Sequence, residues 1–359
     1  MSTVFLIGNG FDVNCGMHTK YKDVYEGYVK KESSTDTIKN FKKTISSNIE
    51  NWGDFEMAMA KYAECLTDEK QFLECIRDFS NYMESYLTEE ELLFKKKLSD
   101  KQINSAVMKE LSNSLSEFCF GISHNVDDLM NSRSATYIPG MSIISFNYTD
   151  VFDIVLGEYT QNIPGNRNEI IHIHGLLKDG PVLGVDNIQQ IKVDYKLSKR
   201  GEREFVKPVF NELYDKNRVQ VAKDRIKQAN TICVFGMSLG DSDLSWRNEL
   251  IEWLKTNKNN HLFLYQYNLA ETKYRTVGEK IGIEEDEKEN ILKAWGISDM
   301  EDILEQIHIP CGRNIFNIKN AIEIAEVKKR ELEKKKKKVE EQIKAGEKFV
   351  NEQLPKVIV

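Results

Sequence analysis

Paired cysteines, proline and long apolar runs are all scarce in this chain of 359 residues. Its six cysteines are scattered and none stands in a Cys-x-x-Cys pair, which argues against zinc and favours reduced thiols in a cytoplasm. No apolar run reaches the ~18 residues that a membrane-spanning helix needs. The first residues carry neither the charged segment nor the cleavage site of a signal peptide. These absences predict a cytoplasmic protein with no membrane contact.

Positive charge is in deficit as well. The chain has 50 Lys and Arg residues against 57 Asp and Glu residues, a formal net charge of -7. Such a balance argues against general nucleic-acid binding, which depends on neutralising phosphates. Hydrophobic residues make up 40% of the chain, enough for a globular protein with a sizeable core.

Two apolar runs end in glycine-rich turns. The first leads into Gly8-Asn9-Gly10, and the second leads into Gly236-Met237-Ser238-Leu239-Gly240. A buried parallel strand brings a ligand loop to the carboxyl edge of an α/β sheet in this way. Glycine backbone approaches phosphate closely, and free amides there favour anions. The turns predict a nucleotide site, although Val13 replaces the third glycine of an ordinary dinucleotide fingerprint.

The hydrophobic periodicity divides the chain into three parts. Residues 1–20 and 136–312 alternate strands with helices, residues 21–135 follow a helical period, and residues 313–359 form a helical tail. The predicted fold class is α/β, a Rossmann-like parallel sheet with a large helical insert and a long C-terminal helix. The predicted strands are residues 3–8, 141–146, 169–174, 181–185, 231–235 and 261–267.

The tail has its own pattern. Its apolar residues follow heptad spacing, interrupted where Lys329, Lys336 and Gly346 occupy seam positions. The pattern predicts a long helix that packs on the body or pairs with another chain. The lysine run 334–338 is flanked by glutamates, so a solvated face is the simpler interpretation and nucleic-acid contact is the alternative.

An asparagine and a histidine stand at the ends of two predicted strands. An amide such as that of Asn147 can hold a ribose hydroxyl or a water molecule, and the alternative is that Asn147 or Thr149 caps the next helix. His172 and His174 alternate with isoleucines, which predicts that both imidazoles face one side. His174 lies at the carboxyl edge, where it can act as a general base, whereas His172 is deeper and supports it. A metal bound by both histidines is the alternative, but no third ligand has suitable spacing.

Further polar residues surround these turns. Asp12 either caps the turn after Gly10 or meets a ribose hydroxyl, and His18 lies in the same loop, within reach of a ligand. Ser238 matches a nucleophile elbow literally, but the acid and histidine that a hydrolase needs downstream are poorly placed. Asp243 stands where the helix after the second turn begins.

Five short motifs occur in an order that resembles the AbiH family of bacteriophage abortive-infection proteins. The resemblance spans about residues 1 to 310. The motifs are Gly8-Asn9-Gly10-Phe11-Asp12, Trp52-Gly53-Asp54-Phe55-Glu56, Phe146-Asn147-Tyr148-Thr149, His172-Ile173-His174-Gly175 and Gly236-Met237-Ser238-Leu239-Gly240.

The family is in turn distantly similar to the sirtuin-like (SIR2) superfamily. That resemblance implies that NAD is bound, that Asn147 contacts the nicotinamide ribose, and that His174 acts as the base. The cofactor contacts expected from the resemblance and the loops together are Gly8, Asn9, Gly10, Asp12, His18, Gly236, Ser238 and Asp243. The four zinc cysteines of sirtuin deacylases are missing, so acyl-lysine deacetylation is not expected and no metal is predicted.

The resulting hypothesis is an antiphage abortive-infection effector that hydrolyses NAD at the nicotinamide–ribose bond. The alternatives are a non-catalytic nucleotide-binding sensor that acts through a protein partner, and a nuclease. The helical insert and the C-terminal helix are the places where the sequence would allow homo-oligomer contacts, and a monomer is the alternative. The sequence does not identify the phage trigger.

Overall fold

The centre of the fold is a parallel sheet of six strands. The computed structural model describes residues 2–118, 141–160, 170–214, 216–269, 272–297, 301–312 and 314–353. The strands are β1 (Thr3–Ile7), β2 (Met141–Ser145), β3 (Ile170–His172), β4 (Thr231–Phe235), β5 (His261–Tyr265) and β6 (Ile307–His308). Their order is β3-β2-β1-β4-β5-β6, and every pair is parallel. The predicted Rossmann-like α/β class is confirmed.

One strand prediction is wrong, two run past the ends of their strands, and one strand was missed. Residues 181–185 form no strand; Val185 makes a single bridge to Val206, because Pro181 and Gly184 interrupt the pairing. The strands predicted to reach residues 174 and 267 end at His172 and Tyr265. β6 has only two residues, too few to show any alternation in the sequence.

Helices fill the segment between β1 and β2. They are α1 (Gly10–Asn14), α2 (Tyr21–Tyr28), α3 (Asp36–Ser47), α4 (Phe55–Tyr62), α5 (Glu69–Leu98) and α6 (Lys101–Glu117). Four of these begin at a side chain that accepts a hydrogen bond from a first-turn amide; the caps are Thr35, Asp54, Asp68 and Asp100. The predicted helical insert is helical over this part, and its last residues, 119–135, lie outside the described ranges.

The remaining helices cover the sheet and form the tail. They are α7 (Val151–Thr160), α8 (Lys199–Phe205), α9 (Lys207–Tyr214), α10 (Lys216–Gln228), α11 (Leu244–Thr256), α12 (Val277–Ala294), α13 (Glu301–Leu304) and α14 (Ile318–Gln353). One face of the sheet packs on α6, α7 and α14, and the other on α10 and α11. None of the helices in the described ranges has the length and apolarity to cross a bilayer.

A third core joins the insert to the α/β part. Aromatic residues of α2 to α5 pack together, for example Phe55 on Phe79 with ring centroids 4.0 Å apart. The same cluster contains Leu183, Val185 and Phe205, which come from the segment between β3 and β4. The insert therefore shares its core with the chain that leads to α9.

The C-terminal helix α14 has two distinct halves. Ile318, Ile322 and Ala325 are buried against the α6 side of the body, and Lys329 forms an ion pair with Asp100. Every residue from 330 to 350 is exposed. Packing on the body, one of the two predicted alternatives, thus holds for the first part of the helix.

The two glycine turns contact each other backbone to backbone. The amide of Gly8 donates to the Phe235 carbonyl and that of Gly10 to the Gly236 carbonyl, both at 2.8 Å. A Cβ atom at Gly10 would lie 2.4 Å from the Gly236 Cα. Gly236 itself has φ +75°, in the left-handed region. Here glycine is required by the close approach of two loops.

We predict that Gly10→Ala destabilises the protein by at least about 3 kcal/mol, because neither backbone can withdraw from the added methyl group. Gly282→Ala, in α12, is the matched control: its Cβ meets nothing within 4 Å. The control is expected to stabilise α12 by up to about 1 kcal/mol. Denaturant unfolding followed by circular dichroism measures both, and equal stabilities would contradict the contact.

Candidate functional site

A cavity of about 410 Å³ opens at the carboxyl ends of β1, β2 and β4. The strand order reverses between β1 and β4, and ligands of open α/β sheets bind at such a switch point. The floor of the cavity is formed by the two glycine turns. Its far wall comes from α2 and α4 of the insert and from α9, which lies between β3 and β4. Polar lining residues include Asp12, Lys20, Lys22, Asp54, Glu56, Asn147, His174, Lys207 and Asp243.

Asp12 ties the first glycine turn to the loop after β2. Its two carboxylate oxygens accept hydrogen bonds from Asn147 Nδ2 at 3.0 Å and from Thr149 Oγ1 at 2.7 Å. Burial raises the pKa of Asp12 to about 7, although these two hydrogen bonds oppose the shift. Asp12 and Asn147 therefore orient each other, a role that the sequence analysis predicted for neither residue.

Among the described residues, two buried acceptors at the cavity find no hydrogen-bond partner: Asn147 Oδ1 and His174 Nε2. Asn147 is 3% exposed and His174 is 5% exposed. Burial and the nearby Lys207 ammonium lower the pKa of His174 to about 3, so its imidazole is neutral at physiological pH. The ring is fixed by a hydrogen bond to the Phe146 backbone and by packing on Phe146. Since an unpaired buried acceptor is costly, both atoms indicate a ligand that donates hydrogen bonds.

A buried row of charges lies beside His174. Lys207 Nζ donates to Asp243 Oδ1 and to the Ser242 carbonyl, both at 3.0 Å, and lies 4.0 Å from Glu56 Oε1. Burial raises the pKa of Glu56 to about 7, against the effect of Lys207. For Lys207 burial acts the other way, but Asp243 and Glu56 outweigh it and raise its pKa. Burial would also raise the pKa of Asp243, but Lys207 lowers it.

Comparison with known protein families confirms the family resemblance that the short motifs indicated. The sequence model of a family described as bacteriophage abortive infection AbiH matches residues 4–265. The chain belongs to the AbiH family. The match runs from β1 to β5 and includes every residue that lines the cavity, whereas α12, α13, β6 and α14 lie beyond it. No curated protein matches the chain.

Most of the predicted site residues of this AbiH family member converge on the cavity. Eight of the ten line it, namely Gly8, Asn9, Asp12, Asn147, His174, Gly236, Ser238 and Asp243. Asn9 also fastens the following loop, because its side chain exchanges hydrogen bonds with Thr19.

The other two predicted cofactor residues lie elsewhere. His18 lines a separate groove with Glu90, Leu93 and Lys329. Gly10 is not among the lining residues, and its amide, like that of Gly8, already donates to the second turn. A phosphate at this edge therefore has to use other donors.

The two strand histidines of this AbiH chain are not equivalent. His172 Nε2 lies 3.0 Å from Asp153 Oδ1 of α7. β3 ends at His172, so the strict alternation that predicted a common side does not extend to His174. His174 instead packs on Phe146 and Tyr148 at the cavity. His174 lies at the edge, as predicted, whereas the partner of His172 is Asp153 of α7 and not His174.

Sequence reasoning missed Glu56, Lys207, Lys20 and Lys22. Glu56 stands in a family motif, but a carboxylate in the first turn of a helix has an ordinary explanation at the helix N-terminus. Lys207 has no sequence signal at all, since it begins α9 far from any predicted turn. Only the core that the insert shares with α8 brings Glu56 and Lys207 together.

We predict that Glu56 makes folding stability depend on pH. Its pKa rises from 4.5 in the unfolded chain to about 7, so it stabilises the fold fully below pH 4.5 and this contribution is lost as pH rises toward 7. Relative to Glu56→Gln, wild type should lose up to about 3 kcal/mol across that window. Urea unfolding at a series of pH values tests this, with Glu50→Gln at an exposed glutamate as the control. Parallel pH curves for wild type and Glu56→Gln would contradict it.

We also predict that Lys207→Met raises the pKa of His174. The substitution removes the nearby positive charge that disfavours the imidazolium, while burial, the larger cause of the low pKa, remains. Histidine NMR titration measures it, with the His174 resonance assigned by its loss in His174→Gln. Lys22→Met, at the exposed mouth of the same cavity, is the control. An unchanged His174 titration in Lys207→Met would exclude this coupling.

Proposed function

We propose that this protein acts in abortive infection by hydrolysing NAD at the nicotinamide–ribose bond. The observation that carries the proposal is a pair of buried acceptors at one cavity, Asn147 Oδ1 and His174 Nε2, which have no partner in the part of the chain that the structure describes. Ribose hydroxyls and a water molecule are the donors that such a pair accepts. The volume of about 410 Å³ lies in the range of small-molecule sites.

The charge of the cavity suits a positively charged transition state. Cleavage of a glycosidic bond passes through an oxocarbenium-like ribose, which nearby carboxylates stabilise. Asp243 is held ionised by Lys207, whereas burial raises the pKa values of Asp12 and Glu56 to about 7. All three carboxyl groups line the cavity.

The pyrophosphate would bind at the mouth of the cavity. The sequence suggested the amides of Gly8 and Gly10 for it, but both are hydrogen-bonded to the second turn. Lys20 and Lys22 line the same cavity, and the Lys22 side chain is 58% exposed. We therefore assign the phosphates to these two lysines, with the nicotinamide ribose deeper, beside Asn147.

The proton balance favours Glu56 over His174 as the final acceptor. Water attacks the ribose C1′ atom, the C1′–N bond breaks, nicotinamide leaves with the bonding electrons, and one proton of the water must be taken up. His174 is a weak base with its pKa near 3, so it orients the water or a hydroxyl through Nε2. Glu56, with a pKa near 7, is matched to accepting the proton.

We predict that Asn147→Ala and His174→Ala each lower NAD hydrolysis by about 100-fold or more, because each removes a positioned acceptor. The purified chain is incubated with NAD and its nucleotides are measured by mass spectrometry. His18→Ala, outside the cavity, is the matched control and should retain wild-type activity. Thermal unfolding confirms that each variant is folded.

Other outcomes would replace this function. A nucleotide bound tightly in calorimetry and recovered intact would indicate the sensor, and wild-type protein that leaves NAD intact in infected cells would exclude the hydrolase. Metal-dependent degradation of DNA would indicate a nuclease. Among the described residues no three His, Cys, Asp or Glu side chains are grouped as metal ligands, so nothing in that part favours the nuclease.

A further inference from the structure

The outer half of α14, residues 330–353, carries an apolar stripe that nothing in the described structure covers. At 1.5 Å per residue it is about 36 Å long. Leu332, Val339, Ile343 and Val350 are each 47 to 55% exposed. They continue the heptad of Ile318, Ile322 and Ala325, which is buried against the body. One seam thus runs the length of the helix, and within the described ranges only its first half has a partner.

Two positions of the exposed seam break the apolar pattern. Lys336 places an ammonium in it, and Gly346 leaves a gap where a Cβ atom would meet nothing within 4 Å. In a parallel pair of identical helices each position faces its own copy. Two ammonium groups would then meet in one layer, and two glycines would leave a void in another.

An antiparallel pair removes both defects. With the crossing at residue 341, the layers join 332 to 350, 336 to 346 and 339 to 343 of the other copy. Each Lys336 then lies across Gly346 of the second copy, where its aliphatic stem has room, and its ammonium group lies beside Glu347 of that copy. Ile343 meets Val339, and Val350 meets Leu332. The seam is therefore complementary to itself in shape and in charge.

The attachment of α14 to the body favours the same direction. The helix leaves the body after Lys329, and its seam up to that point faces α6. In a parallel pair the body of the second copy would lie at the same end of α14 as the first body, on the side that α6 already occupies. In an antiparallel pair the body of the second copy lies at the opposite end of the paired helices. Parallel pairing would offer contacts between Lys335 and Glu340, but these contacts would not offset two ammonium groups of Lys336 that meet in the seam.

We propose that a second copy of this chain pairs with the outer half of α14 in an antiparallel coiled coil. This inference does not depend on the proposed function, because α14 lies outside the cavity and outside the family match. The full-length protein is expected to dimerise in a concentration-dependent manner.

Sedimentation of matched valine variants tests the stripe. Val339 lies on it and is 53% exposed, while Val327 lies on the same helix off the seam and is 51% exposed. Val339→Asp should abolish the dimer, and Val327→Asp should sediment like wild type. If wild type is monomeric at its highest soluble concentration, or if both variants behave alike, the proposal is wrong.

A charge exchange tests the layer of Lys336 and Gly346. Lys336→Glu places like charges beside Glu347 of the other copy and should weaken the dimer about tenfold. The double variant Lys336→Glu, Glu347→Lys should restore it. A double variant as weak as Lys336→Glu alone would overturn the antiparallel register.

Disulfide trapping decides the direction of the pair. Leu332→Cys and Val350→Cys chains are prepared separately in a Cys65→Ser background, since Cys65 is exposed. After mixing and oxidation, a disulfide between 332 of one chain and 350 of the other supports antiparallel pairing. A disulfide between two copies of the 332 variant would show a parallel pair and overturn the proposal.

Discussion

The contact between the two glycine turns is the constraint on which the site depends. β1 and β4 are hydrogen-bonded neighbours at the point where the order of the strands reverses, and their turns meet without side chains between them. This contact sets the position of α1, and hence of Asp12, which holds the amide of Asn147. The floor of the cavity is made of backbone, and the side chains that face a ligand come from its rim.

Burial then gives the rim an unusual set of charges. Two carboxyl groups have their pKa values raised to about 7, an imidazole has its pKa lowered to about 3, and an ammonium group stays charged because two carboxylates flank it. Such opposed shifts in one cleft are common at functional sites, although structural ion-pair networks produce them as well. In this protein they coincide with two acceptors that no described residue satisfies, and the proposed ligand is argued from that coincidence.

The sequence predicted the sheet and the polar groups at its edge because both leave local signals. Apolar runs before Gly8, Asn147 and Gly236 mark strands, and whatever follows a parallel strand lies at the carboxyl edge. Whether a backbone amide is already hydrogen-bonded leaves no such signal. From the sequence alone, a glycine whose amide donates to another loop therefore looks the same as one whose amide binds phosphate. Glu56 and Lys207 were missed for a different reason. They meet only through a core assembled from segments about 150 residues apart, which no local periodicity encodes.

The order of the strands also determines when the cavity can exist. β1 is made before both of its neighbours in the sheet, which begin at residues 141 and 231. The charged row is incomplete until Lys207 and Asp243 have been made. The second glycine turn and the last residue that lines the cavity, Asp243, lie more than 200 residues after the first turn, so the cavity forms only after all of the intervening chain has been synthesised.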